Sequence, residues 1–189
     1  MNTATPTPTT TPSGTTLFAV DPAHTLVEFA VRHLMISTVR GSFKEVQGTV
    51  RTDERDPANT AIDVSVNIAS IDTREPQRDA HLKSADFFDA EHFPVMAFHG
   101  RRVVGATSQP FKVVGDLTIR GVTREVTLEV APGGSLIDPW GNQRAGFSAT
   151  AKISRGDFGL KWNQALETGG VVVGDEVKIS IDVELVKQG

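Results

Sequence analysis

The sequence predicts an all-β domain assembled from about eight amphipathic strands, and three observations point to it. From Leu17 onward the dominant spacing of apolar residues is two, the period of a strand with one buried and one solvated face. Glycine- and proline-containing turn signals separate the alternating segments. The chain has 189 residues, which suits one domain of about 100–200 residues that buries its own core.

The segments follow in order. Met1 to Thr16 holds eight threonines and three prolines, no charged side chain and little apolar surface, so a disordered tail is expected over 1–16 and the folded domain over 17–189. Val27, Phe29 and Val31 oppose Glu28 and Arg32 in a first strand. A weaker strand covers Gly41–Thr52, and Ile62, Val64, Val66 and Ile68 alternate with Asp63, Ser65 and Asn67 in the next. Thr73 to His92 interrupts the pattern: Pro76 suits a helix's first turn, Gln77 to Lys83 has helical composition, and Ser84 can cap a short turn carrying Phe87 and Phe88. Weaker strands return at Val95–Val104 and Phe111–Arg120. Arg120-Gly121 reads as a two-residue hairpin turn pairing Ile119 with Val122, although Leu117 then faces Arg124 and a longer turn is the alternative. Val126, Leu128 and Val130 form the following strand, and Asp138 to Asn142 is a turn by composition. Ala145 to Ile153 alternates cleanly, Asp157 to Val171 is irregular, and Val177, Ile179, Ile181, Val183 and Leu185 share one face of the last strand. Eight such faces are hidden either by closing the sheet into a barrel or by stacking two sheets, and alternation alone does not separate these.

Composition removes several functions. With no cysteine there is no disulfide framework, thiol nucleophile or thiolate metal site. No apolar run approaches the roughly 18 residues of a membrane-spanning helix. The 19 basic and 23 acidic side chains leave a net charge of −4, contrary to a general nucleic-acid binder. The start of the chain lacks a basic and apolar export signal, which makes the cytoplasm the expected location.

Candidate chemistry begins with the five histidines. His81 and His92 lie among Arg78, Asp79, Asp86, Asp89 and Glu91, where metal ligation or general-base work competes with helix capping and ion pairing. Their separation fits no i, i+4 metal pair, and no metal site or catalytic set is assigned. His33 continues the inward register of Val27, Phe29 and Val31, as a hydrogen-bonded interior residue or as a contact to a bound headgroup. Serine elbows and glycine-rich phosphate cradles are absent from the sequence, and no cofactor is expected. The remaining signal is a set of large apolar residues at inward or mouth positions: Phe29, Phe43, Met96, Phe98, Phe111, Phe147, Phe158 and Trp162. They either fill a core or line a pocket for a long apolar molecule.

Nine motifs occur in order: Asp21-Pro22-Ala23-His24, His33-Leu34-Met35, Gly41-Ser42-Phe43, Ile71-Asp72-Thr73, Arg78-Asp79-Ala80-His81-Leu82, Asp86-Phe87-Phe88, Phe93-Pro94, Leu117-Thr118-Ile119-Arg120-Gly121-Val122-Thr123 and Arg155-Gly156-Asp157-Phe158-Gly159-Leu160. Together they closely resemble the YceI-like, polyisoprenoid-binding family, from about Phe18 to Val186. The resemblance implies an eight-stranded antiparallel, lipocalin-like barrel with short helices in its connections. It implies a lumen for an isoprenoid or other long apolar lipid, with binding rather than catalysis as the role, and a homodimer. His33, Arg78, Asp79, His81 and Arg155 become headgroup candidates through these motifs, and Met35 joins the ligand set beside His33. A buried Arg–Asp network pinning the loops is the plainer reading of the charged ones. Many members of the family are exported, and the polar start of this chain departs from them. The expected function is a soluble carrier or sequestering protein. The alternatives are an enzyme using His33 or His81 on an apolar substrate, and a dimeric interaction protein with a filled core.

Overall fold

A computed structural model describes residues 14–53, 55–167 and 169–189. Most of the tail expected over 1–16 lies outside the described residues, but Thr15 and Thr16 already belong to a strand, two residues ahead of the boundary read from composition.

The architecture is a closed antiparallel barrel of eight strands, three of which are each made of two segments. β1 (Thr15–Val20) and β2 (Leu26–His33) form one broken strand. The break is a helical turn at Pro22–His24, whose cap is Asp21, with its carboxylate accepting from the Ala23 N–H. β3 (Ser37–Phe43) and β4 (Val46–Asp53) run back alongside, so β2 pairs with β3 and β1 with β4 in one long hairpin. β5 (Ala61–Asn67) and the two-residue β6 (Ile71–Asp72) continue the pattern on β4 and β3. The single α-helix among the described residues, α1 (Pro76–Lys83), leads to β7 (Val95–Val104). β8 (Phe111–Ile119), β9 (Val122–Ile137), β10 (Gln143–Ser154) and β11 (Val173–Lys187) then pair in succession. β11 closes the ring by pairing with β2 and, nearer its end, with β1.

The two-residue turn expected at Arg120-Gly121 is present, with Ile119 paired to Val122. Arg120 (φ 50°) and Gly121 (φ 71°) both occupy the left-handed region that a type I′ turn requires. Leu117 does face Arg124, but Arg124 is exposed at the start of β9, so its charge stays in water. α1 begins after Glu75, which caps it through the N–H groups of Gln77 and Arg78, and Ser84 ends it while its hydroxyl donates to the His81 carbonyl.

Inward residues of all eight strands form one continuous interior with two centres. At one end Val103, Phe111, Val113, Val130 and Ala149 pack tightly. At the other, α1, the 84–94 connection and the 155–162 segment close over a larger cluster that includes Phe43, Ile68, Phe87, Met96, Phe158 and Leu160. Phe98, Leu128, Phe147 and Ile181 pack against both.

Candidate ligand cavity

The cavity lies inside the α1 end of the barrel and measures about 100 Å³. β2, β3 and β11 supply one wall through Val27, Phe29, Phe43, Val177 and Ile179. Leu82, Phe87 and Phe88 cover it from above, and Phe158 and Leu160 close its side. Every lining residue is apolar except Glu28, which lies in an exposed position of β2, and Arg155, which is 7 % exposed.

Arg155 directly follows β10, in a short helical turn that ends at Gly159 in the left-handed region (φ 80°). Its Nε donates to the Gly174 carbonyl at 2.8 Å, and Nη1 donates to the carbonyls of Leu160 at 2.6 Å and Trp162 at 2.9 Å. Nη2 donates to the Val173 carbonyl at 3.3 Å. The guanidinium thus ties the irregular 160–162 stretch to the start of β11. Among the described residues no carboxylate forms an ion pair with it. Asp175, the nearest contributor of negative charge, instead accepts from Ser154 Oγ and the Gly156 N–H. Burial lowers the Arg155 pKa, and Asp175 opposes this only in part.

The cover is held by similar means. Arg120 donates to the carbonyls of Phe87 (3.2 Å) and Gly159 (3.4 Å), joining the two loops that meet over the cavity. Arg78 donates to the Thr73 hydroxyl and carbonyl, each at 2.8 Å, while Asp79 accepts from the Thr73 N–H and hydroxyl. Arg78 and Asp79 therefore anchor α1 to the end of β6 through Thr73. The His81 ring packs edge-on against Phe87 and Trp162, with centroids 5.1 and 4.8 Å away, and its Nε2 lies 3.0 Å from Asp86.

The residues singled out in the sequence thus divide into groups. Phe29, Phe43, Met96, Arg155 and Phe158 line the cavity. Arg78, Asp79, His81 and Trp162 belong to its cover. Phe111 and Phe147 pack edge to face, with centroids 6.2 Å apart, in the filled end, and Phe98 packs against both clusters. His33 and Met35 lie at the β2–β3 hairpin outside the cavity lining, and Met35 is 53 % exposed. Sequence reasoning missed Leu82, Phe87, Phe88 and Leu160 as lining residues. Their signals were apolar side chains on either side of the mouth and their places in three of the family motifs. It also left out Val177 and Ile179, although their alternation had already placed them inward.

A second polar cluster lies near the far end of β10. Arg144 donates to Asp21, Asp138 and Glu184. Asp21 and Glu184 also come close enough to His24 to resemble a cation site, but the Arg144 guanidinium already bonds both carboxylates. The His24 and Arg144 bonds lower the Asp21 pKa to about 2. Burial alone would raise the Asp138 pKa, yet bonds from Arg144, Asn142 and Trp140 hold it well below the usual carboxylate range. The three carboxylates push the Arg144 pKa up. His92–Asp89 (2.8 Å) and His99–Asp63 (2.5 Å) are surface pairs away from the cavity lining.

The sequence profile of the YceI-like domain family matches residues 18–185. The chain belongs to the YceI-like family. A UPF0312 protein of Staphylococcus aureus strain N315 is 40 % identical over 170 residues, covering 89 % of this chain and 96 % of that protein. The YceI protein of Campylobacter jejuni superposes with a TM-score of 0.71 at 32 % identity, over 84 % of this chain and 90 % of that one. Two more distant structures share the fold. Burkholderia cenocepacia BcnA has a TM-score of 0.75 at 24 % identity, over 87 % of this chain and 98 % of its own. A polyisoprenoid-binding domain from Saccharophagus degradans has a TM-score of 0.67 at 13 % identity, over 90 % and 98 % of the two chains. In this YceI-like chain, no helix among the described residues is long and apolar enough to cross a membrane.

Proposed function

We propose that the protein binds a long apolar molecule of the isoprenoid type in the α1 end of its barrel and acts as a carrier or sequestering protein. The observation that carries this reading is the cavity wall, apolar on all sides apart from Arg155 and an exposed position of β2. Family membership and the polyisoprenoid-binding description of one structural neighbour support it. Burying a hydrocarbon tail there releases about 25 cal/mol per Å² removed from water, which favours chain length over chemical detail.

At about 100 Å³ the cavity is smaller than the roughly 150 Å³ void that holds a benzene. A long tail therefore enters only as Leu82, Phe87 and Phe88 move outward, and the cover is an active part of binding. Trp162 packs against Phe87 and reports that movement. In a Trp140→Phe variant, which removes the exposed second tryptophan, saturating geranylgeraniol is expected to change Trp162 fluorescence with a defined endpoint. Denaturing extraction of the native protein should also release an apolar compound detectable by mass spectrometry. No saturable signal together with an empty extract would sink the proposal.

A further inference from the structure

We propose that the tip of the β9–β10 hairpin is a membrane-docking element whose partner is a neutral or zwitterionic lipid surface. This goes beyond the carrier reading and does not rest on it. β9 runs on past Val130, the last of its residues paired with β8, and from there to Ile137 only β10 accompanies it among the described strands. The two strands thus leave the barrel as a ribbon. Between Gly133 and Gln143 every residue except Asp138 is exposed. Leu136 (61 % exposed) and Ile137 (74 %) are successive strand residues on opposite faces, and Trp140 (81 %) tops the turn. Apolar side chains scattered singly over a surface are ordinary, but these are grouped on one projecting tip.

The polar chemistry of the tip points to lipid. Residues 131–143 contain one ionisable group, Asp138, and it is buried against Arg144. Its carboxylate accepts from the N–H groups of Trp140 and Asn142, while the Asp138 and Gly141 N–H groups donate to the carbonyls of Asn142 and Asp138. Pro139 has no N–H. All backbone donors from 138 to 142 are therefore used within the turn, which removes a main cost of entering a medium without water. Trp favours the boundary between headgroups and hydrocarbon, and Leu and Ile favour its apolar side. Two other occupants fit less well. Pro132, Gly134 (φ 113°) and the register shift at Gly146/Phe147 interrupt the free edge of β9, leaving a second copy or a peptide no regular strand to extend. The carboxylates of Asp21, Asp138 and Glu184 outnumber Arg144 at the base of the ribbon, so the charge there is complementary to a neutral surface and opposes an anionic one. Docking through this tip leaves the cavity cover, at the other end of the barrel, free to move.

Flotation of the full-length protein with phosphatidylcholine vesicles tests this. The parent is expected to float with them equally at low and high salt, and no better when phosphatidylglycerol is included. Ile137→Ser and Trp140→Ser should each weaken vesicle binding about tenfold, whereas Trp140→Phe should retain most of it. Both side chains are exposed, so these variants should unfold at the parent's midpoint. Ile36→Ser removes a similarly exposed apolar residue from the β2–β3 hairpin and should bind vesicles like the parent. Excess geranylgeraniol should leave flotation unchanged, because the cavity lies at the other end. Absence of flotation, displacement by geranylgeraniol, or loss with Ile36→Ser rather than Ile137→Ser overturns the proposal and leaves the carrier reading intact. So does a dimer in analytical ultracentrifugation that Trp140→Ser converts to monomer, because a second copy is then the occupant.

Discussion

Arg144 and Arg155 stand at opposite ends of β10, one near its start and the other directly after its end, and their surroundings differ in kind. Arg144 meets three carboxylates, which raise its pKa, and one of them, Asp138, is 4 % exposed with its oxygens fully bonded. Arg155 meets only carbonyls, and burial lowers its pKa. The first is a closed network that stitches the 138–142 turn, the Asp21 cap and β11 together, and a ligand has nothing to add there. The second holds loops in place with a charge left partly uncompensated beside an apolar void. The same contrast appears in the packing, since the Phe111–Phe147 end is filled while the Phe158 end retains a cavity.

The strongest test of that contrast removes one phenylalanine from each end. Phe158→Ala and Phe111→Ala should each cost about 3–5 kcal/mol in denaturant unfolding, because both rings are buried. Geranylgeraniol at about 100 times its Kd for the parent should stabilise Phe111→Ala by nearly 3 kcal/mol, as it does the parent, and Phe158→Ala by more, because the enlarged void admits the tail without displacing the cover. Equal recovery would dissolve the distinction between the ends.

A smaller loss is expected for Arg144→Gln, with a characteristic pH dependence. Asp21 has a folded pKa of about 2 against an ordinary 3.8. A carboxylate with a lowered pKa contributes stability above its unfolded pKa and loses it as pH falls through the folded one. The midpoint difference between parent and variant should therefore be full at neutral pH and shrink between about pH 4 and pH 2. A difference independent of pH would assign the loss to packing instead.

The smallest effect is expected from Gly41→Ala. A Cβ there would sit 2.5 Å from Phe29 Cζ and 2.8 Å from Thr73 Cγ2. The Phe29 ring must turn toward the cavity it lines, at a cost of about 1 kcal/mol. Weaker ligand binding with nearly unchanged stability would place the void where the structure has it; unchanged binding would argue against that location.

The sequence disclosed the strands wherever one face was buried along their length. β11 is the clearest case, with Val177, Ile179, Ile181, Val183 and Leu185 on one face, whereas β8 reads as a weaker strand although Phe111, Val113, Leu117 and Ile119 are all buried on one side. β1 and the first half of β3 stayed hidden because Thr15-Thr16 and Ser37-Thr38 carry no apolar alternation, and the strand expected over Gly41–Thr52 joined the end of β3 to β4, which the structure separates at Lys44-Glu45. Period two separates inside from outside but says nothing about height along the barrel. For that reason Phe111 and Phe147 read like Phe29 and Phe43, although they fill opposite ends. His33 likewise followed the inward register to the last residue of β2, where the barrel wall gives way to a hairpin. The character of Arg155 was also beyond reach, since its acceptors are backbone carbonyls distributed over 160–174.

The ring is completed by Phe18–Val20 of β1 lying against Leu185–Lys187 of β11, and every other described strand falls between them in the chain. During synthesis the emerging barrel is an open ribbon until its final strand leaves the ribosome. The entropy of joining such distant segments is met in a late step, which puts the fold among slow, high-contact-order topologies. Until then the free edges of β1, β2 and β10 are templates for intermolecular pairing. The last strand thus decides whether a nascent chain becomes a container or an aggregate.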